Sequence, residues 1–273
     1  DDLFIKLYKD RRIDFSRYNY FHASYVASLE KIDEAKDIVQ SALQLYPRNL
    51  LLNQFKIDLN EAKNIDVFDC KKENHVIAEI LYITANALSS QSIYNLSNFY
   101  LNLAKYLNED FHSLDTLLAE NFYKTDNFEN AKKIYQNLSK RGEAFKWYST
   151  KQLAKIFIKE EKKDEAIKLT SDTYKNLENK EVYETFDFAE FLKNNKKFDK
   201  SIFYYTKVLD DIKKDHPLYP EATDGRGVAY ERIGDWNNAE KDLLSSLNAD
   251  PDQAYVINYL AYSWIEKGIK IEK

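Results

Sequence analysis

Apolar residues recur along this chain three and four positions apart, in segments of about a dozen residues separated by short polar stretches. That spacing puts them on one face of an α-helix and predicts a succession of amphipathic helices. Within the pattern, a small residue is followed three positions later by a large apolar one. The pairs are Ala23 and Val26, Ala85 and Leu88, Ala119 and Phe122, Ala154 and Phe157, Ala189 and Leu192, Gly227 and Tyr230, and Ala261 and Trp264. A second set of small residues comprises Ala35, Ser97, Ala131, Ala166, Ser201 and Ala239, at intervals of 62, 34, 35, 35 and 38. Small side chains at both places let two helix backbones approach to about 8–10 Å where they cross, and the large residue fills the space beside the crossing. The pattern therefore predicts antiparallel helix pairs repeating about every 34 residues, with one eroded unit inside the interval of 62.

The segment Gly227-Val-Ala-Tyr230-Glu-Arg-Ile-Gly234-Asp-Trp236-Asn-Asn-Ala239, running on to Asp250-Pro251, resembles the tetratricopeptide repeat. In that family's 34-residue frame Gly227 takes position 8, Tyr230 position 11, Ala239 position 20, Leu243 position 24 and Pro251 position 32. The resemblance implies an all-α, right-handed superhelical solenoid of antiparallel helix pairs. There are departures. Position 4, commonly Trp, reads Asn19, Leu81, Asp115, Thr150, Thr185, Thr223 and Ile257, and position 32 keeps its proline only at Pro47 and Pro251. The expected units are an N-terminal helix or remnant (1–15), a repeat (16–49), a degenerate repeat with an irregular loop (50–77), repeats at 78–111, 112–146, 147–181, 182–219 and 220–253, and a half repeat (254–273). The irregular segment at 63–75 and the last helix are the expected weak points, because a solenoid's stability is a sum over neighbouring units.

The run Asp250-Pro-Asp-Gln-Ala-Tyr-Val-Ile-Asn258-Tyr-Leu-Ala-Tyr-Ser-Trp264-Ile-Glu-Lys-Gly268-Ile, with Gly225-Arg-Gly227-Val-Ala-Tyr-Glu-Arg, is similar to large multi-repeat tetratricopeptide proteins of alphaproteobacteria. This implies a bacterial scaffold, cytoplasmic or, if the parent protein is exported, periplasmic. It implies no catalytic residues.

Composition narrows the function classes. Five Gly and four Pro in 273 residues favour long helices over a β-sandwich. The net charge of −5 is spread over interspersed signs, which argues against a nucleic-acid surface. No run of about 18 apolar residues suggests a membrane span. The chain has no Met, which predicts a fragment or processed form; separately, the expected half repeat leaves the apolar face of Tyr259, Leu260 and Trp264 without a second helix, which predicts further repeats. Cys70 and His75 lie five apart without further ligands at workable spacing, so no metal is expected. No cofactor is expected either: there is no Gly-rich phosphate loop and no Ser/His/Asp or Cys/His arrangement.

In this repeat class positions 2, 5, 9, 12 and 13 of the first helix line the concave face. Here they include Tyr82 and Asn86; Thr116, Glu120 and Lys124; Tyr148, Lys151, Lys155 and Lys159; Tyr183, Phe186, Glu190 and Lys193; Asp224 and Glu231; and Tyr255, Asn258 and Tyr262. Lys151, Lys155 and Lys159 fall four apart, a basic strip on one helix face beside Tyr148, Tyr183 and Phe186. Such a strip suits an acidic or C-terminal peptide segment; the alternative is a solvated face balanced by Glu160, Glu161 and Glu190.

The expected function is a non-catalytic protein–protein interaction scaffold that binds partner peptides or helices in this groove. Alternatives are a nucleic-acid-binding helical repeat, which needs a basic groove with recurring polar pairs, and a regulatory part of a larger enzyme or envelope assembly. Dimerisation through the exposed aromatics of the last helix is a further expectation.

Overall fold

The computed structural model describes residues 16–61 and 71–268, with Ser16 described by its backbone alone. Cys70, most of the irregular segment and the expected N-terminal remnant lie outside the described residues. The described residues divide into two compact units, 1–166 and 167–273.

The first unit begins with α1 (Ser16–Ser28), α2 (Ile32–Leu45) and α3 (Leu50–Asn60), followed by α4 (Glu73–Ser90), α5 (Tyr94–Leu107), α6 (His112–Lys124), α7 (Phe128–Leu138) and α8 (Glu143–Lys159). The boundary falls within α9 (Lys163–Lys175). The second unit continues with α10 (Val182–Asn194), α11 (Phe198–Asp211), α12 (Tyr219–Arg232), α13 (Trp236–Ala249) and α14 (Ala254–Glu266). No strand occurs among the described residues.

Helices pair in sequence order. In the first unit α1 packs on α2, α4 on α5 and α6 on α7; in the second, α10 packs on α11 and α12 on α13. The small residues lie at the crossings: Ala23, Ala35, Ala85, Ser97, Ala119, Ala131, Ala189, Ser201 and Ala239 are all fully buried. Gly227 shows why size matters there. A Cβ on it would stand 3.1 Å from the Leu243 side chain and 3.2 Å from the Ala239 carbonyl oxygen. Where serine replaces alanine, its hydroxyl needs a partner, and Ser97 Oγ donates to the Ala85 carbonyl across the crossing at 2.8 Å.

The turn inside each pair is a repeated piece of backbone. Glu30, Ser92, Asp126, Glu161, Lys196 and Gly234 all have φ between 56° and 86°. Each follows the first helix of its pair by two residues and precedes the second by two. The next residue's N–H donates back to the helix: Asn127 to Phe122 (2.8 Å), Lys162 to Phe157 (2.8 Å), Lys197 to Leu192 (2.9 Å) and Asp235 to Tyr230 (2.9 Å). This is the Schellman arrangement, which satisfies carbonyls that a helix end leaves open. Only Gly234 adopts the left-handed region without a Cβ penalty.

Within the first unit the order of packing departs from a simple stack. In a solenoid each repeat touches its neighbours only. Here α3 packs on α1 and α2 and also on α8, about 90 residues onward. The buried Gln54 side chain accepts from the Ala144 N–H at 3.0 Å, supplying a partner for one of the open donors at the start of α8, and itself donates to Asp58 at 2.8 Å. A second buried polar knot joins α4, α5 and α6. Asn121, fully buried, donates to Ser97 Oγ (2.9 Å) and Asn98 Oδ1 (2.8 Å) and accepts from Ser89 Oγ (2.6 Å).

Candidate functional site

The first helix of each pair carries the predicted groove positions, and the structure treats them unequally. In the first unit, Tyr82 on α4 is covered by the chain's own Arg17. The Arg17 guanidinium lies 4.6 Å from the centre of the Tyr82 ring, 4.3 Å from that of Phe111 and 5.1 Å from that of Phe21. It pairs with both carboxylate oxygens of Glu79 and donates to Ser113 Oγ at 3.3 Å. Burial, as the larger effect, pushes the Tyr82 phenol up, against the opposing influence of Arg17. Asn86 and Lys124 are exposed, with the Lys124 ammonium 5.7 Å from the Tyr94 ring. Thr116 is half-buried and donates to the Ser113 carbonyl.

Glu120 and Tyr148 form a fixed pair: Tyr148 Oη donates to Glu120 at 2.6 Å, and its ring stands edge-on to the buried Tyr135. Burial first, and then the negative Glu120, push the Tyr148 phenol far above its ordinary value, so it stays a neutral donor. Tyr148 is therefore part of the floor and not a free aromatic beside the lysines.

The predicted basic strip is divided. Lys155 is exposed. Lys151 is half-buried, 6.0 Å from the Trp147 ring. Lys159 turns toward α6 and α7, lying 4.6 Å from the Tyr123 ring and 5.3 Å from Phe128, with Asp126 at 3.5 Å.

In the second unit, Phe186 departs from its expected place. It sits in the core, 5% exposed and edge-on to Tyr205 at 6.0 Å, because α10 turns it toward Val208 and Ala222 instead of solvent. Tyr183 is half-buried, its ring 6.0 Å from His216. Glu190 accepts from Lys193 at 2.6 Å and from Tyr205 Oη, so both charges of this pair are engaged. Glu231 accepts from Tyr259 at 2.7 Å. Tyr255, Asn258 and Tyr262 on α14 are exposed, the two rings at 61% and 71%.

Asp224 is the most perturbed acid of this row. Its Oδ1 is buried and has no hydrogen-bond partner. Burial is the main reason its carboxyl is pushed up to about 6; Glu190 and Glu221 add to the rise and Lys193 opposes it. Tyr255 is close enough that Asp224 and Glu190 help raise its phenol, after burial. Sequence reasoning placed Asp224 in the row but gave no sign of this, since burial is set by the packing of neighbouring helices. Two residues further along α12, Arg226 forms a bidentate ion pair, donating to Asp242 at 2.7 and 2.9 Å and to Thr206 at 3.1 Å.

No group of three or more His, Cys, Asp or Glu among the described residues is placed to hold a metal ion, and no described helix is long and apolar enough to cross a membrane.

No family model and no curated protein matches the sequence. Solved structures do match. Yeast Tom70 aligns over 99% of this chain with a TM-score of 0.57 at 14% identity, and this chain spans 58% of that one. The Cut9–Hcn1 hetero-tetramer of the APC/C aligns over 87% of this chain and 47% of its own, with a TM-score of 0.50 at 14% identity. A thermophilic TPR protein of Thermus thermophilus, TTC0263, aligns over 69% of this chain and 99% of its own at 13% identity, with a TM-score of 0.49. The chain has the tetratricopeptide-repeat fold. Paired helices, small residues at every crossing and the repeated left-handed turn are the local basis of that likeness.

Proposed function

We propose that this tetratricopeptide-repeat chain is a non-catalytic interaction scaffold that takes an extended or helical segment of a protein partner against its first-helix row. The observation that carries the reading is the exposed face of α14. Tyr255, Asn258 and Tyr262 fall three and four residues apart, so they share one side of the helix and offer two rings, 61% and 71% exposed, and an amide to a partner. The solved Cut9–Hcn1 assembly, a protein of like fold held with a second chain, is in keeping with this reading.

The partner segment suited to this place carries an apolar or aromatic group to lie on Tyr255, with a polar group to meet the Asn258 amide. Selection of phage-displayed peptides on the whole chain, followed by titration calorimetry, tests it. Selected peptides should lose about tenfold in affinity against Tyr255→Ala and several-fold against Asn258→Ala. Peptides that bind both variants as tightly as the parent chain would place recognition elsewhere, and failure to select any peptide would remove the scaffold reading for this region.

A further inference from the structure

A cavity of about 600 Å³ opens in the second unit between the last turns of α9 and the body of α11, and it shares no lining residue with the first-helix row. Its floor is an ordered aromatic cluster. Tyr174 and Phe188 stack at 4.3 Å with their planes 14° apart, and Tyr204 stands edge-on to both, at 5.3 and 4.8 Å. Tyr174 Oη is hydrogen-bonded to Thr185 Oγ1 at 2.9 Å, and Phe188 is 3% exposed, so this floor is held in place before anything binds.

The rim is basic on both sides. Lys175 and Lys180 stand on one side, Lys200 and Lys207 on the other. The Lys207 ammonium lies 4.7 Å from the ring centre of Phe203, which is 55% exposed and continues the apolar surface outward. Lys175 and Lys200 are exposed. Asp172 and Asp199 are the acids on the rim, against four lysines. Among the lining residues the sign is therefore opposite to that of the chain as a whole, with Glu184 and Asp211 acting on Tyr174 from behind the floor.

We propose that this cleft is a second binding site, and that its occupant is an acidic segment of a protein partner, with an aromatic or large aliphatic side chain set between carboxylates. The apolar group lies against exposed Phe203 and half-buried Tyr204, which the Tyr174–Phe188 stack holds from beneath, and the flanking carboxylates reach the two lysine rims. Lys200 and Lys207 are seven residues apart on one helix, about 10 Å along its axis, so the charge is distributed and does not converge on one point as a single phosphate would need. Four lysines against two aspartates suit the few carboxylates of a short segment, whereas a nucleic-acid backbone brings a charge at every nucleotide and needs a longer basic track.

Fluorescence anisotropy on the whole chain tests this with the labelled peptide EELFEDLFEE, its neutral counterpart QQLFQNLFQQ and labelled poly(U) RNA, at about 0.05 M salt where charge attraction is least screened. The acidic peptide should bind saturably and at least about tenfold more tightly than the neutral one. Lys200→Glu with Lys207→Glu should weaken it about tenfold, and Phe203→Ala, which leaves every charge in place, several-fold. Tyr255→Ala should leave it unchanged, which separates this site from the first-helix row. If circular dichroism shows lost helix in the double Glu variant, Lys200→Gln with Lys207→Gln replaces it and should still weaken binding. Affinity indifferent to the lysine pair, affinity lost in Tyr255→Ala alone, or RNA binding as tight as the acidic peptide's and lost with the same lysines would each overturn the proposal.

Discussion

Gly225 offers a sharp test of how tightly the second unit is packed. It lies in the middle of α12, where alanine is worth about 1 kcal/mol more than glycine on helix propensity alone. The structure predicts the opposite outcome for Gly225→Ala. A Cβ there would stand 2.5 Å from both Cζ and Oη of Tyr205 and 2.9 Å from its Cε1. Contacts between such atoms are normally about 3.5–4.0 Å, so the ring must retreat by about 1 Å. It has little freedom to do so. Tyr205 is fully buried, meets Phe186 edge-on and donates to Glu190. Overpacking of this kind costs about 1–3 kcal/mol. After the propensity gain, Gly225→Ala should be destabilised by about 1 kcal/mol, read as a lower urea midpoint by far-ultraviolet circular dichroism. Tyr205→Phe alone should also cost about 1 kcal/mol, by leaving Glu190 short of a donor. Combined, the two should cost less than their sum, because the second change removes one of the three atoms that the new methyl meets. A Gly225→Ala variant as stable as the parent, or strictly additive costs, would refute the close approach of α12 to Tyr205.

Three further outcomes follow from particular contacts. Gln54→Ala should cost about 1–2 kcal/mol, since it leaves the Ala144 N–H without its partner, and limited proteolysis should then cut 16–60 faster. Lys196→Gly should raise stability by a few tenths to about 1 kcal/mol in thermal melts, because its φ of 61° costs a side-chain-bearing residue more than glycine. For Asp224 the folded carboxyl, pushed up to about 6 from 3.8, holds its proton more tightly than the unfolded one. Its ionisation therefore opposes folding, and the stability it contributes is present below about pH 4 and lost as pH rises through about 6. Asp224→Asn should accordingly be more stable than the parent chain above pH 6, with the difference shrinking toward pH 4; a constant difference across that window would remove burial as the cause.

The helical repeat was legible because it is written in side-chain size. Ala85 and Ser97, or Gly227 and Ala239, must be small wherever two backbones cross, and that demand recurs with the period of the structure. The left-handed turns recur at the same intervals but were silent, because Glu30, Ser92, Asp126, Glu161 and Lys196 give no glycine signal. Packing of the flanking helices imposes the conformation on them.

The candidate surfaces were legible only as positions. Tyr82 and Tyr148 fall where a groove aromatic is expected, yet Arg17 covers the first and Glu120 holds the second. Arg17 and Glu79 are 62 residues apart, and Gln54 and Ala144 are 90 apart. Contacts at such separations obey no period and leave no pattern in a single chain. The raised carboxyl of Asp224, the burial of Phe186 and the lysine-rimmed cleft belong to the same class. Each depends on how many neighbours, from helices distant in sequence, exclude water from one place, and desolvation is a sum over those neighbours. The sequence determined which residues form helices and how those helices cross; the tertiary structure decided which charges and rings are left for a partner.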